Sequence, residues 1–263
     1  MRTRFRAALM AGTAAVLGLA LTACGGSDSG SGQQAAPART LTVSAAASLT
    51  SVYQQLGTEF QNANPGTTVK FNFGGSDSLA QQVVQGAPAD VLATASSKTM
   101  QTAVQAGKIQ GEPVVYATNS LQIAVAPNNP KGITSLQDLT KPGVVSVVCA
   151  PAVPCGAAAE AAEKAAGVTL TPASEEQDVK GVLNRVQTGN ADAGLVYVTD
   201  VKSTNGAVTG VSFPQASAQG AVQSYPIGVV NGSQNADLAQ SWINFVRGQQ
   251  GTAALQQAGF VTK

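Results

Sequence analysis

Hydrophobic positions follow two alternating patterns along most of the chain. In the first helical pattern, apolar side chains recur three or four positions apart, at Leu49, Val52, Tyr53, Leu56 and Phe60. This spacing is typical of one face of an α-helix. The segment TVKFNF that follows alternates apolar and polar residues, which is typical of a β-strand with one buried face.

The same alternation of strand and helix patterns continues to the C-terminus. Strand patterns occur in LTVSAA, ADVLATA, LQIAVAP, VVSVVCA, AGLVYV, VSFP and YPIGVV. Helix patterns occur in SLAQQVVQG, SKTMQTAVQAG, AAAEAAEKAAG, EQDVKGVLNRVQTG, ADLAQSWINFVRG and GTAALQQAG. Strand–helix alternation predicts an α/β protein with mainly parallel sheets and helices on both faces. Ligands of such folds bind at the carboxyl ends of strands, beside helix N-termini.

The first residues have the pattern of an export signal. Arg2, Arg4 and Arg6 form a positive region, and an apolar stretch from Ala7 to Leu21 follows. This pattern predicts a secretory signal rather than a transmembrane helix, because a membrane span needs about 20 apolar residues.

The end of this signal, LTAC, resembles the bacterial lipobox. The resemblance implies a lipoprotein signal peptide at residues 1–23 and lipidation of Cys24. The alternative is an ordinary signal peptide that is cut nearby, with Cys24 incidental. Residues 24–39 have almost no apolar bulk and predict a flexible tether. We expect folded structure to begin near Leu41.

Composition and charge exclude several classes of function. The chain has no histidine, which excludes a Ser-His-Asp triad, a Cys–His pair and every zinc site that needs histidine. No GxGxxG, Walker or SxxK motif occurs. Three of the 15 basic residues lie in the signal and all 14 acidic residues lie beyond it, which leaves a net charge of −2. No basic surface for nucleic acid is therefore predicted.

Three strand-to-helix turns share one chemistry. AAASLT places Ser48 at a helix start, FGGSDSL places Ser76 after two glycines, and PAVPCGAAA places Cys155 after Pro154. The first N–H groups of a helix have no internal partner and carry partial positive charge, so such turns can bind an anion. The alternative for each serine is a simple N-cap, and for each glycine a simple turn.

Several segments, taken in order, resemble the periplasmic molybdate-binding proteins of ABC importers: AAASLT, FGGSDSLAQQVVQGAPADVLATAS, NSLQIAVAP, EQDVKGVLNRVQTGNADAGLVYVTD and a closing GF. The resemblance implies a two-lobed periplasmic-binding-protein fold of type II, in which each lobe is a mainly parallel sheet flanked by helices. It implies that lobe 1 comprises residues 40–120 and 226–263, and that lobe 2 comprises residues 121–225. The ligand is expected in the cleft between the lobes.

The resemblance also implies five ligand-binding residues. Ser48 and Ser76 correspond to serines that donate to the oxyanion, and Tyr197 corresponds to a tyrosine whose hydroxyl reaches the ligand. Cys155 and Val179 correspond to positions that contribute a backbone N–H. The alternatives are a half-buried sheet position for Tyr197 and helix-face packing for Val179.

Two features depart from the family pattern. Asp77 directly follows Ser76, where a carboxylate facing the anion would repel it, so we expect it to point outward or to cap the helix. Cys149 and Cys155 bracket CAPAVPC. In an exported protein such a pair is more often a disulfide than a metal site, and the spacing is not that of a CxxC redox motif.

We expect the disulfide to fix the loop that directs the Cys155 N–H toward the ligand. The helix that follows is predicted to pair Glu160 with Lys164 and to end at Gly167. No metal other than bound molybdate, and no cofactor, is expected.

The predicted function is that of a monomeric binding protein, lipid-anchored at the outer face of the cytoplasmic membrane, that captures molybdate and also tungstate for a membrane permease. One alternative is a relative of the same fold that binds sulfate, phosphate or another small solute. The others are an exported α/β hydrolase or transferase, and a structural or adhesive lipoprotein without a ligand.

Overall fold

A computed structural model describes residues 38–214 and 220–263. The predicted signal peptide, Cys24 and nearly all of the predicted tether lie outside the described residues. None of the helices within these two ranges is both long enough and apolar enough to cross a bilayer.

The described chain alternates strands and helices, which confirms the predicted α/β class. The strands are β1 Arg39–Ala46, β2 Thr67–Gly74, β3 Val91–Ala93, β4 Ile109–Val125, β5 Ser146–Cys149, β6 Ser174–Glu176, β7 Ala193–Tyr197, β8 Thr209–Val211, β9 Val222–Val230 and β10 Val261–Thr262. The α-helices are α1 Thr50–Ala63, α2 Ser76–Val84, α3 Ser97–Gln105, α4 Pro154–Ala166, α5 Val179–Gln187, α6 Val198–Lys202, α7 Ala236–Arg247 and α8 Gln249–Ala258. Short 3-10 helices occupy Ala47–Leu49 and Leu136–Thr140.

The strands follow the order β2-β1-β3-β9-β4-β7-β5-β6, with β8 and β10 also paired to β4. Four of the described pairings are parallel and five are antiparallel. Every antiparallel pairing involves β4 or β9. The strands that helices connect are therefore parallel as predicted, whereas the two long connecting strands make the sheet mixed.

Strand β4 belongs to both halves of the molecule. It pairs with β9 up to Ser120, and from Leu121 to Val125 it pairs with β7. One hydrophobic cluster is built from residues 121–221 together with Ala47, and a second is built from residues 41–117 and 225–260. We call the half around the second cluster lobe 1 and the half around the first cluster lobe 2.

The predicted hydrophobic face of α1 is buried in the lobe 1 core. Tyr53 and Phe60 each place their ring centroid 5.4 Å from that of Trp242 on α7. Each large apolar side chain that is buried in this way contributes about 1.5–3 kcal/mol. These contacts fix α1, and with it the turn that precedes it, against the sheet.

The structure corrects two expected boundaries, the end of the tether and the start of strand β4. Strand β1 starts at Arg39, near Leu41 as expected, but within the residues assigned to the tether. The Arg39 N–H donates to Gly66 O at 2.9 Å and its guanidinium pairs with Asp237 at 2.6 Å. Arg39 is thus part of the sheet and not of the tether. Strand β4 starts at Ile109, before the LQIAVAP pattern. The sequence pattern did not predict its first part, because that part contains glycine and proline and its apolar and polar residues do not alternate.

The predicted Glu160–Lys164 pair is wrong, since neither residue belongs to an ion pair among the described residues. Both side chains are exposed. A surface pair of this kind gains only about 0.3–0.5 kcal/mol, which is too little to hold two long side chains together. Helix α4 does end at Gly167, which adopts the left-handed conformation with φ of 63°.

Candidate functional site

All five residues that the sequence singles out line one cavity between the lobes. Lobe 1 contributes Ser48 and Ser76, and lobe 2 contributes Cys155, Val179 and Tyr197. The cavity that these residues and their neighbours leave free has a volume of about 10 Å³, counted at the centre of a water-sized sphere. Residues from sequence positions 48 to 197 are thus brought together by the fold, as the resemblance implied.

Four of these residues stand at helix starts. Ser48 lies in the 3-10 helix before α1, Ser76 is the first residue of α2, Cys155 is the second residue of α4, and Val179 is the first residue of α5. The N–H groups at such positions have no carbonyl partner within their own helix. Because the helix dipoles add partial positive charge there, the cavity favours an anion.

The Ser48 and Ser76 hydroxyls do not cap their helices, so the N-cap alternative is wrong for both. The Ser48 Oγ lies 2.7 Å from the Tyr225 hydroxyl oxygen. The Ser76 Oγ accepts a hydrogen bond of 3.0 Å from the Ala95 N–H. Since Ser76 already accepts on its oxygen, its own hydrogen remains to be donated elsewhere.

Tyr197 occupies the end of β7 and is only 1% exposed. It is therefore fully buried rather than half-buried. Its hydroxyl has no hydrogen-bond partner among the described residues. Burial, and then the neighbouring Tyr225 and Asp200, raise the pKa of Tyr197 well above 10. The phenol thus keeps its proton and can act as a donor.

Asp178 is a cavity residue that the sequence analysis missed. Its carboxylate accepts from the N–H groups of Lys180 at 2.8 Å and Gly181 at 3.0 Å. These two bonds cap α5 and leave the Val179 N–H available to a ligand. The Val179 side chain packs in the lobe 2 core, so its packing and its position as a donor coexist. The signal in the sequence was an aspartate directly before a helix pattern.

An ion pair between a buried carboxylate and a partly exposed lysine lies beside the Tyr197 end of the site. Asp200 is fully buried, accepts from the Tyr197 N–H at 3.1 Å, and has one oxygen 3.0 Å from the Lys180 ammonium. Burial raises the pKa of Asp200, while the lysine and the backbone donor act in the opposite direction. These contacts hold the backbone of Tyr197 at the junction of β7 and α6.

Asp77 does not line the cavity. Its side chain makes no cap on α2. It lines a separate groove, which also contains Lys98. One carboxylate oxygen, Oδ1, is nevertheless buried without a hydrogen-bond partner among the described residues and lies beside Gly75, which does line the cavity. The side chain therefore neither caps the helix nor points fully outward.

Cys149 and Cys155 are joined by a disulfide. The loop between them turns where the Val153 N–H donates to Ala150 O at 3.0 Å. Directly after the disulfide, Gly156 packs so closely that a Cβ there would overlap the Ala150 carbonyl. The start of α4 is thus fixed both covalently and by packing.

No group of three or more His, Cys, Asp or Glu side chains in the described chain could hold a metal ion. Among the described residues that line the cavity, none is lysine or arginine, and the single charged group is Asp178. The arrangement therefore offers hydroxyl and amide donors without a formal positive charge.

Comparisons with known proteins agree with this geometry. A family model for bacterial extracellular solute-binding proteins matches residues 41–261. The chain is 46% identical over 249 residues to the molybdate-binding protein ModA of Mycobacterium tuberculosis, with 94% of each chain covered.

Two solved structures share the fold. The substrate-binding domain of a putative molybdenum ABC transporter from Clostridium difficile is 27% identical, with a TM-score of 0.63, and the match covers 86% of this chain and 99% of that one. The Azotobacter vinelandii periplasmic molybdate-binding protein is 19% identical, with a TM-score of 0.73, and the match covers 84% and 98%. The chain therefore belongs to the family of bacterial extracellular solute-binding proteins.

Proposed function

We propose that this chain is the solute-binding component of an ABC importer and that its ligand is molybdate, with tungstate as a second ligand. The observation that carries the proposal is the convergence of donors from both lobes on one cavity. We assign to this set the Ser48, Ser76 and Tyr197 hydroxyls and the Cys155 and Val179 N–H groups, because their residues line the cavity. The 46% identity to a protein named for molybdate binding supports the choice of ion.

An anion that leaves water loses its hydration shell, which is costly unless hydrogen bonds replace it. The cavity meets this requirement with neutral donors, each aligned by its own fold contact. Their fixed dipoles act in a buried site, where electrostatic interactions are stronger than in water. A doubly negative oxyanion can thus be held without a lysine or arginine that would make release slow.

Binding and release are the whole of the proposed activity, and no covalent step is required. Because the donors come from both lobes, a ligand in the cavity links the lobes and stabilises their closed arrangement. The closed form then delivers the ion to a membrane permease. We propose that the protein acts as a monomer and that a lipid on Cys24 holds it at the outer face of the cytoplasmic membrane, which the LTAC pattern supports.

Selectivity is expected to come from size. Molybdate, tungstate and sulfate carry the same charge and the same tetrahedral shape, so charge cannot separate them. A close-packed cavity resists changes of volume. Molybdate and tungstate are therefore expected to contact all donors at once, whereas the smaller sulfate is expected to leave some donors without an acceptor.

Titration calorimetry with molybdate, tungstate, sulfate and phosphate tests the proposal. We expect molybdate and tungstate to bind more tightly than sulfate or phosphate. Replacing Tyr197 by phenylalanine removes a hydroxyl that has no other partner, so the affinity for molybdate should fall about 10- to 150-fold, as for a lost hydrogen bond to a charged group. Equal affinity for sulfate and molybdate would contradict the ligand assignment, and no binding of any of these anions would contradict the function.

A further inference from the structure

We infer that Tyr225 is a positioning residue that turns the Ser48 hydroxyl hydrogen toward the ligand. The inference rests on the proposed function and deepens it. Tyr225 lies on β9, is fully buried and does not line the cavity. It therefore acts through Ser48 rather than on the anion.

The Tyr225 ring is held rigidly at this place. Its centroid lies 5.1 Å from that of Phe260 and 6.1 Å from that of Tyr197, both in edge-on arrangements. The hydroxyl oxygen of this fixed ring lies 2.7 Å from Ser48 Oγ. Two hydroxyls at this distance share one hydrogen, and either oxygen could supply it.

Asn119 favours Tyr225 as the oxygen that supplies the hydrogen. Its Oδ1 accepts from the Ser120 N–H at 3.0 Å, which orients the amide so that its NH₂ faces the other way. This Nδ2 donates to Thr199 Oγ1 at 2.8 Å and to the Tyr225 hydroxyl oxygen at 3.5 Å. Because the amide approaches the phenol oxygen with its own hydrogen, the arrangement favours a phenol hydrogen that points at Ser48 Oγ.

The consequence for Ser48 follows from its single hydrogen. When Ser48 Oγ accepts from Tyr225, its own hydrogen cannot lie on the same line and must point elsewhere. Ser48 lines the cavity, so that hydrogen is available to an anion there. Ser76 is arranged in the same way but with a backbone donor, since its oxygen accepts a hydrogen bond from the Ala95 N–H. Both serines are thus fixed as donors by a neighbour that itself donates.

The protonation state of the phenol supports this direction. Burial raises the pKa of Tyr225, while its bonds to Ser48 and Asn119 act in the opposite direction. The phenol therefore remains protonated at neutral pH. The chain of bonds runs from Asn119 on β4 through Tyr225 on β9 to Ser48 before α1, so it also ties the site to the strands that join the lobes.

A double-mutant cycle tests the inference, with molybdate as the probe and calorimetry as the readout. Tyr225→Phe keeps the ring and removes the hydroxyl. We expect it to weaken molybdate binding about 5- to 10-fold in the wild-type background, which is within the range of coupled neighbours. In a Ser48→Ala background the same change should alter affinity by less than about two-fold, because no serine hydrogen remains to be directed.

Tyr53→Phe is the matched control. The Tyr53 hydroxyl is also buried and bonds another buried hydroxyl, Tyr116, at 2.8 Å, but it does not line the cavity. We expect this control to lower the melting temperature of the ligand-free protein about as much as Tyr225→Phe, and to leave the affinity for molybdate unchanged. A purely structural role for Tyr225 would make the two variants alike in both measurements.

Asn119→Leu is a second variant in the same cycle, and it removes the amide donor instead of the phenol. Its effect on affinity should likewise vanish in the Ser48→Ala background. The inference is overturned if Tyr225→Phe leaves the affinity of the wild-type chain unchanged, or if it weakens binding equally with and without the Ser48 hydroxyl. Failure of the wild-type chain to bind molybdate would contradict the proposed function as well, so the two failures are distinguishable.

Discussion

Gly75 controls how closely the lobes can approach. Its backbone, with φ of −61° and ψ of 130°, is open to any L-residue, so glycine is not required here for conformation. A Cβ at this position would lie 2.5 Å from the Gln177 carbonyl oxygen, 2.9 Å from Asp77 Oδ1 and 3.6 Å from Val153 Cγ1. The Asp77 oxygen is the end of a flexible side chain of the same lobe and can turn away, whereas the Gln177 oxygen belongs to the backbone. Gly75 belongs to lobe 1, whereas Gln177 and Val153 belong to lobe 2, so the obstruction lies across the cleft.

The magnitude of a Gly75→Ala effect follows from this contact. Ordinary non-bonded contact is about 3.5 Å or more, so the Gln177 carbonyl would have to move by about 1 Å. A backbone oxygen cannot move aside as a flexible side chain can, and overpacking of this kind costs about 1–3 kcal/mol. Because the cost falls on the closed form, the affinity for molybdate should fall about 5- to 150-fold while the fold of each lobe is retained.

Calorimetry with molybdate, together with the melting temperature of the ligand-free protein, measures this effect. Gly74→Ala is the matched control, because Gly74 lines the same cavity but a Cβ there would approach nothing closer than Leu79 Cδ2 at 3.9 Å. The control should bind with less than about two-fold change. If Gly75→Ala binds molybdate as tightly as Gly74→Ala, cleft closure does not depend on this contact and the reasoning is refuted.

Three further results are expected. Reducing the disulfide should destabilise the chain by about 2 kcal/mol in the chain-entropy account. It should also weaken molybdate binding, because the Cys155 N–H is then no longer held in place. Calorimetry with and without reductant measures this, and unchanged affinity would show that binding does not depend on the disulfide. Because burial raises the Tyr197 pKa well above 10, the affinity for molybdate should stay constant up to about pH 9. A loss of molybdate affinity with a midpoint below that pH would contradict a buried phenol donor. The Lys141 ammonium and the donors of Thr134 lower the Asp138 pKa below its ordinary value. The ionised carboxylate therefore stabilises the fold at pH values above its unfolded-state pKa of about 3.9, and this stabilisation is lost as the pH falls through the lower folded-state pKa. Acid unfolding should show a smaller pH dependence in Asp138→Asn than in the wild type, and equal curves would count against this role.

The periodic part of the fold could be predicted from the sequence. Helix α1 and strand β2 lie where the apolar spacing placed them, because each buries one regular face in the core. The first part of β4 could not be predicted in this way. It contains Gly111 and Pro113 and pairs irregularly with β9. Its extended form depends on a partner strand that is distant in sequence, which a local pattern does not record.

The site was partly visible in the sequence for a similar reason. Motifs beside helix starts indicated Ser48, Ser76 and Cys155, and the family resemblance alone indicated Val179 and Tyr197. All five residues line one cavity. The role inferred for Tyr225 and the obstruction at Gly75 depend on contacts between segments that are far apart along the chain. Neither can be recognised in the local sequence, since tyrosines in hydrophobic cores and glycines in turns are common in proteins of any function.

Diffraction from crystals grown with molybdate, recorded for the anomalous signal of molybdenum, shows where on the protein the ion binds. We expect one strong molybdenum peak in the cavity. The oxygens of this ion should lie within hydrogen-bond distance of the Ser48, Ser76 and Tyr197 hydroxyls and of the Val179 N–H. An ion that binds elsewhere, or an ion in the cavity that contacts donors from only one lobe, would contradict the proposed capture of molybdate between the lobes.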